Sequence, residues 1–214
     1  MMAEPLSFDH ISLTDRPLIV CDIDEVVLEF LTPFQGFLKA GGCTLLPRSF
    51  RLHGNIIRQA DGEPISEAEV SALIEAFFAA QLDWQGPAAA VCETLESLSA
   101  EADIVFLTAM PPRHAALRRA LLDRHALSFP LLATEEPKGP VVRRLHDGRS
   151  QKLVFIDDIL RNLHSVRDHA PDCLLIHLIA NAEFRAMMPT PGPDIAAAAD
   201  WPHAAALIRA HLAA

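Results

Sequence analysis

Two aspartates, Asp22 and Asp24, stand two apart where the apolar run Pro17-Leu18-Ile19-Val20-Cys21 gives way to polar residues. Side chains two apart on an extended chain share a face, so these carboxylates crowd and repel one another. Folding gains nothing from such a pair, whereas a bound cation or an anionic reaction uses it. Further polar residues close or follow other apolar runs: Thr108 after 104–107, Lys138 shortly after 130–133, and Asp157 with Asp158 after 153–156. Asp22 and Asp157 together suit a hard divalent cation such as magnesium, which takes few carboxylates plus water and phosphate oxygens. Lys138 and the Thr108 hydroxyl then offer a point charge and a hydrogen bond to an anionic oxygen. A carboxylate attacks phosphorus only once the phosphate charge is neutralised, so this set points to phosphoryl transfer.

The elements that must bring these residues together are legible as period and punctuation. Five short apolar runs lie at 18–21, 104–107, 130–133, 153–156 and 174–179, the last four separated by helical patterns at 113–125, 141–146 and 159–168. That alternation predicts an α/β, doubly wound, Rossmann-like three-layer fold with a parallel sheet. In such sheets the ligand site lies beyond the carboxyl ends of the strands, where all the polar residues above would meet.

About eighty residues separate the first two runs, far more than one crossover needs. A helix is expected over 34–40, ending at Gly41-Gly42. A second opens at the capping box Ser66-Glu67-Ala68-Glu69 and carries Val70, Leu73, Ile74, Phe77 and Phe78 at helical spacing. We read residues 29–87 as a small, mostly helical cap inserted into a core of residues 1–28 and 88–214. Its return, 83–87, is aperiodic and ends in Gly86-Pro87. The stretch 88–98 reads as the helix before the second strand, 189–200 as an irregular surface segment, and 201–212 as a closing helix.

At its polar strand ends the chain resembles the haloacid dehalogenase superfamily. Its four-part signature is matched in order by Ile19-Val20-Cys21-Asp22-Ile23-Asp24-Glu25-Val26, by Val105-Phe106-Leu107-Thr108, by Lys138, and by Val154-Phe155-Ile156-Asp157-Asp158. The resemblance implies a phosphatase-like enzyme in which Asp22 is the nucleophile and forms an aspartyl-phosphate. Asp24 would protonate the leaving oxygen and then deprotonate the hydrolytic water. Magnesium would be held by Asp22, Asp157 and the Asp24 carbonyl, with Asp158 a second-sphere or alternative ligand. Thr108, its neighbour Ala109 and Lys138 would hold the phosphoryl oxygens. One departure stands out: where the family commonly has glycine after the second aspartate, this chain has Glu25, a carboxylate expected near the mouth of the site.

Composition narrows the partners. Half of the 214 residues are apolar, 21% are charged, and the formal net charge is −10. No basic stripe for nucleic acid is expected, and no run approaches the roughly 20 apolar residues of a membrane span. Cys21, Cys43, Cys92 and Cys173 form no Cys-x-x-Cys pair, so a reducing cytoplasm is expected. The partner is then a small phosphorylated molecule, with oligomeric state left open.

Each residue has a plainer reading too. Asp-x-Asp occurs in turns and helix caps, Asp158 suits the cap of a helix near Ile159, and Asn162 suits either a helix surface or a metal's outer sphere. In the insertion, Arg51, His53 and Asn55, within Phe50-Arg51-Leu52-His53-Gly54-Asn55, are candidates to read the rest of the substrate, with a surface turn as the alternative. Phe30, Phe34 and Phe37 are core first at helical spacing. Rival functions are a phosphomutase, a phosphonate hydrolase, a non-catalytic phosphate-binding module and an acidic structural protein. The last leaves the strand-end cluster unexplained.

Overall fold

Successive residues of the first strand face opposite sides of the sheet, and the burial of both sets explains its uninterrupted apolar run. In the computed structural model, which describes residues 6–49, 51–188 and 190–214, this strand is β1 (Leu18–Cys21), all four residues buried. It pairs in parallel with β4 (Asp103–Thr108) on one side and β6 (Leu153–Asp157) on the other. Outside these lie β5 (Leu131–Ala133) next to β4, and β7 (Leu174–Leu178) then β8 (Ala196–Ala198) beyond β6. The sheet order is β5-β4-β1-β6-β7-β8. The chain winds outward from β1 one way, then crosses back to wind the other way, which opens a crevice at the carboxyl ends of β1, β4 and β6.

Ile19, Cys21, Ile104, Phe106, Val154 and Ile156 pack on one face against α4 (Val91–Ser99), α5 (Ala115–Arg124) and α9 (Trp201–Ala213). Leu18, Val20, Val105, Leu107, Leu153 and Phe155 pack on the other against α6 (Lys138–Leu145) and α7 (Leu160–His169). The expected three layers are therefore present. One strand of the core differs from the sequence reading. The segment thought irregular contains the sixth strand β8, an alanine run that pairs with β7 through backbone groups alone. Helix α6 opens at Lys138, ahead of the helical pattern at 141–146, and Pro140 falls in its first turn, where a missing N–H costs nothing.

Between β1 and β4 lie α1 (Leu31–Ala40), β2 (Cys43–Leu45), β3 (Ile56–Arg58), α2 (Glu67–Ala79) and α3 (Gln81–Trp84). The capping box at Ser66 and Glu69 is made as expected. The antiparallel hairpin β2–β3 was not, since each strand is only three residues long. Helix α3 likewise occupies part of the return thought aperiodic. Phe30, Phe34 and Phe37 cluster with Phe77, and Phe37 also meets Trp84 edge-on, so these rings are the insertion's own core. Glu75 of α2 ties the insertion to the turn after β4 through Arg113 and through His114 at 2.6 Å. The remaining helix is α8 (Ala182–Ala186).

Helices α6 and α7 approach closely at Gly139, whose amide donates to Ser165 Oγ at 3.2 Å. A Cβ there would overlap the Ser165 carbonyl and lie 2.7 Å from His169 Nδ1. Gly139→Ala is therefore expected to cost about 1–3 kcal/mol through overpacking. Urea unfolding with an unchanged m-value is the check, and an unshifted midpoint would show that α6 is free to move away.

Candidate active site

Asp22 follows β1 directly, its amide still donating to the Ile156 carbonyl at 2.8 Å. Asp157 ends β6, Asp158 is the next residue, Thr108 ends β4 and Lys138 begins α6. The sheet thus brings together the residues that the sequence singled out. Asp22, Asp157 and Asp158 each offer a carboxylate oxygen, all within 4.8 Å of one another, and all three residues are buried.

Lys138 Nζ lies 2.5 Å from Asp22 Oδ1 and 2.6 Å from Asp157 Oδ2. It is 3% exposed, so this lysine is not a solvated side chain. Asp157 also accepts from the Ile159 amide at 2.8 Å and from Asn162 Nδ2 at 3.0 Å, which places Asn162 in the outer sphere of the cluster. Asp158 does not cap α7: the cap position is Ile159, with no side-chain bond. Among the described residues no donor reaches the Asp158 carboxylate. Its backbone carbonyl lies 2.9 Å from His177 Nε2.

Three buried carboxyl groups crowd around one ammonium. Burial first, then Asp157 and Asp24, pushes the Asp22 carboxyl above the ordinary range against the pull of Lys138. Asp158 is pushed well up, by burial and then by Asp157 and Asp22. Burial alone would lower Lys138, but Asp157 and Asp22 outweigh it and hold the ammonium above an ordinary lysine. The directions for Lys138, Asp22 and Asp158 agree: the ammonium between two carboxylates is firmly charged, Asp22 shares its cation, and Asp158 has none at contact distance among the described residues. A buried, donorless carboxylate beside two others is a donor set that fits a hard divalent cation.

Asp24 stands 19% exposed at its side chain, and its Oδ1 accepts from Arg118 Nη1 at 2.9 Å and from Gln85 Nε2 at 3.0 Å. Thr108 Oγ1 lies 3.4 Å from Asp24 Oδ2 and accepts from the Met110 amide at 3.0 Å, with Ala109 exposed between them. Sequence reasoning missed Arg118. The available signal was an arginine on the same helical face as the buried Leu121 and Leu122.

Glu25 is a correction. It is 2% exposed, and instead of facing the mouth its carboxylate accepts from the amides of Phe30 at 3.2 Å, Leu31 at 2.8 Å and Asn181 at 2.5 Å. It thereby caps α1, whose cap residue Phe30 supplies no side-chain bond. Its φ is +66°, so glutamate keeps the left-handed geometry that favours glycine. Burial raises its pKa while the amides of Leu31, Asn181 and Phe30 oppose the rise.

The insertion residues Arg51, His53 and Asn55 are not joined to the aspartates by any hydrogen bond or ion pair found among the described residues. Asn55 is buried and closes the β2–β3 connection, donating to Ser49 Oγ at 2.8 Å and the Arg51 carbonyl at 2.7 Å. His53 Nε2 lies 3.3 Å from Ser71 Oγ of α2, and Arg51 is exposed. The bonds of Asn55 and His53 stay within the connection and with α2. Phe50 lies outside the described residues.

No protein-family model and no curated protein matches the sequence. Solved structures match the fold along nearly the whole chain. A predicted phosphoglycolate phosphatase from Haemophilus somnus aligns with a TM-score of 0.61 at 15% identity, covering 93% of this chain and 99% of that one. A haloacid dehalogenase-like family hydrolase from Xanthomonas campestris gives 0.59 at 14%, covering 92% and 96%. A haloacid dehalogenase-like family protein from Streptococcus pneumoniae gives 0.56 at 15%, covering 91% and 99%. The chain has the haloacid dehalogenase-like fold, as its four motifs led us to expect.

The Glu25 geometry makes an ordered expectation. Glu25→Gly relieves the left-handed backbone but abandons three amides, for a net cost of about 1–3 kcal/mol. Glu25→Ala loses the same bonds without the relief and should cost about 1 kcal/mol more. Chemical denaturation of the three proteins gives the order. A glycine variant as stable as wild type would show that the carboxylate caps nothing of consequence.

Proposed function

We propose that the protein is a magnesium-dependent phosphomonoester hydrolase that acts on a small phosphorylated metabolite through an aspartyl-phosphate on Asp22. The observation that carries this reading is the cluster at the carboxyl end of the sheet, with Lys138 Nζ 2.5 Å from Asp22 and 2.6 Å from Asp157, and a donorless Asp158 beside them. Asp22, Asp157 and Asp158, with the Asp24 carbonyl, would hold the cation, with Asn162 and Lys138 steadying Asp157. Magnesium bound there supplies charge neutralisation for the phosphoryl group and its attacker.

The chain's own groups account for the rest. An Asp22 oxygen attacks phosphorus as the bond from phosphorus to the leaving oxygen breaks, and Asp24 delivers its proton to that oxygen. Water then attacks the phosphorus of the aspartyl-phosphate, its proton passes to Asp24, and the bond to Asp22 breaks, releasing phosphate and restoring both carboxyl groups. Lys138 and the Thr108 hydroxyl, with Ala109 beside it, hold the phosphoryl oxygens and restrain the nucleophile.

Arg51, His53 and Asn55 are not proposed as substrate contacts, since their observed partners lie within the insertion. Residues 29–87 are proposed to act as the cap over the site, a reading supported by the aromatic core that the insertion builds for itself. Among the described residues no helix is long and apolar enough to cross a membrane. All four cysteines are free, which supports the cytoplasm as the place of action.

Turnover of para-nitrophenyl phosphate with magnesium is the direct test. Asp22→Asn is expected to lower kcat by at least about 10³-fold, because an amide does not attack. Asp158→Asn is expected to raise the magnesium concentration for half-maximal activity about tenfold while retaining turnover at saturation. Failure of the wild-type protein to hydrolyse any phosphoester in a broad panel would sink the reading.

A further inference from the structure

Arg118 belongs to α5 of the core, and its side chain is fully buried. Its Nε donates to Gln81 Oε1 at 2.6 Å, its Nη1 to Asp24 Oδ1 at 2.9 Å and its Nη2 to Gln85 Oε1 at 3.1 Å. Gln85 in turn donates to Asp24 Oδ1 at 3.0 Å and to the Glu29 carbonyl at 3.0 Å. Gln81 donates to the Phe78 carbonyl at 2.7 Å. The network therefore sits where the chain leaves the core for the insertion and where it returns. These two paths also pair directly, Glu29 N with the Gly86 carbonyl and Ala88 N with the Val27 carbonyl, both at 2.9 Å.

Stability does not account for this arrangement. A buried ion pair can usually be exchanged for apolar side chains of like volume at little cost, and the face of α5 that carries Arg118 is otherwise lined by leucines. The distribution of donors on Asp24 is uneven in a useful way. Oδ1 takes both strong bonds, while among the described residues Oδ2 has only the Thr108 hydroxyl at 3.4 Å.

We propose that Arg118, braced by Gln81 and Gln85, is the positioning residue for Asp24: it pins Oδ1 and leaves Oδ2 as the oxygen that exchanges protons with the leaving group and with water. Because the braces come from the return path of the insertion, the same contacts make the placement of Asp24 depend on how the insertion is seated. This rests on the phosphatase reading, within which Asp24 moves both protons.

The test is steady-state turnover, with magnesium, of para-nitrophenyl phosphate and of phenyl phosphate, whose phenol is the poorer leaving group. Arg118→Met is expected to lower kcat about 10²-fold on the first substrate and further on the second, with KM within about twofold, as for loss of a placed general acid. Gln85→Leu should do the same to about tenfold. Combined with Asp24→Asn, neither should lower kcat further, because groups that act as one unit are not additive. Should Arg118→Met fail to fold, Arg118→Lys and Gln85→Leu carry the test by the same criteria. Losses that multiply in the double variants, an equal loss on both substrates, or a change in KM alone would overturn the role of Arg118. A wild-type protein inert on both substrates and on a broad phosphoester panel would instead overturn the phosphatase reading itself.

Discussion

The ammonium of Lys138, held between Asp22 and Asp157, is the interaction on which this structure turns. Adjacent parallel strands deliver two carboxylates to one spot, since Asp22 follows β1 and Asp157 ends β6. Asp158 adds a third from the next residue. In a buried setting this repulsion needs a positive charge within contact distance, and Lys138 supplies the nearest one. The lysine is fixed in turn by its place at the start of α6, and α6 sits where it does because Gly139 admits α7 at close range. A chain of purely steric and electrostatic requirements therefore runs from a glycine contact to the charge state of the site. The charge left over after Lys138 is what a divalent cation would complete.

A second ring of contacts couples the insertion to this cluster. Glu25 and Arg118 reach it from opposite kinds of chemistry. Glu25 gathers three backbone amides, from the start of α1 and from the loop after β7, and in doing so holds a left-handed backbone one residue past Asp24. Arg118 gathers two glutamines and Asp24 itself. Both residues bury charge, and both spend it on the junction between core and insertion rather than on the mouth of the site. The aromatic cluster of Phe30, Phe34, Phe37 and Phe77 gives the insertion a body of its own on which these contacts act.

The sheet and its polar strand ends were legible in the sequence for a physical reason. Strands buried on both faces read as unbroken apolar runs, and a charged residue at the end of one is conspicuous. The capping box at Ser66 was legible because it is a local bond pattern. What escaped depends on partners distant in sequence. Alanines 196–198 carry no strand preference, and β8 exists because β7 offers a free edge. The strands β2 and β3 are three residues each and become a hairpin only against one another. Arg118 looks like any helical arginine until Gln81, Gln85 and Asp24 are seen around it. Asn55, taken from the sequence for a substrate contact, has its amide group spent on closing a turn.

In the proposed reaction Asp22 carries the phosphoryl group between the two halves. Acid-quenching the protein during turnover of para-nitrophenyl phosphate, reducing any acyl phosphate with borohydride and sequencing the peptides by mass spectrometry tests it most directly. The reduced residue is expected at Asp22, with none formed in Asp22→Asn. Modification at another carboxylate, or steady turnover with no trapped residue and an undiminished rate in Asp22→Asn, would contradict it.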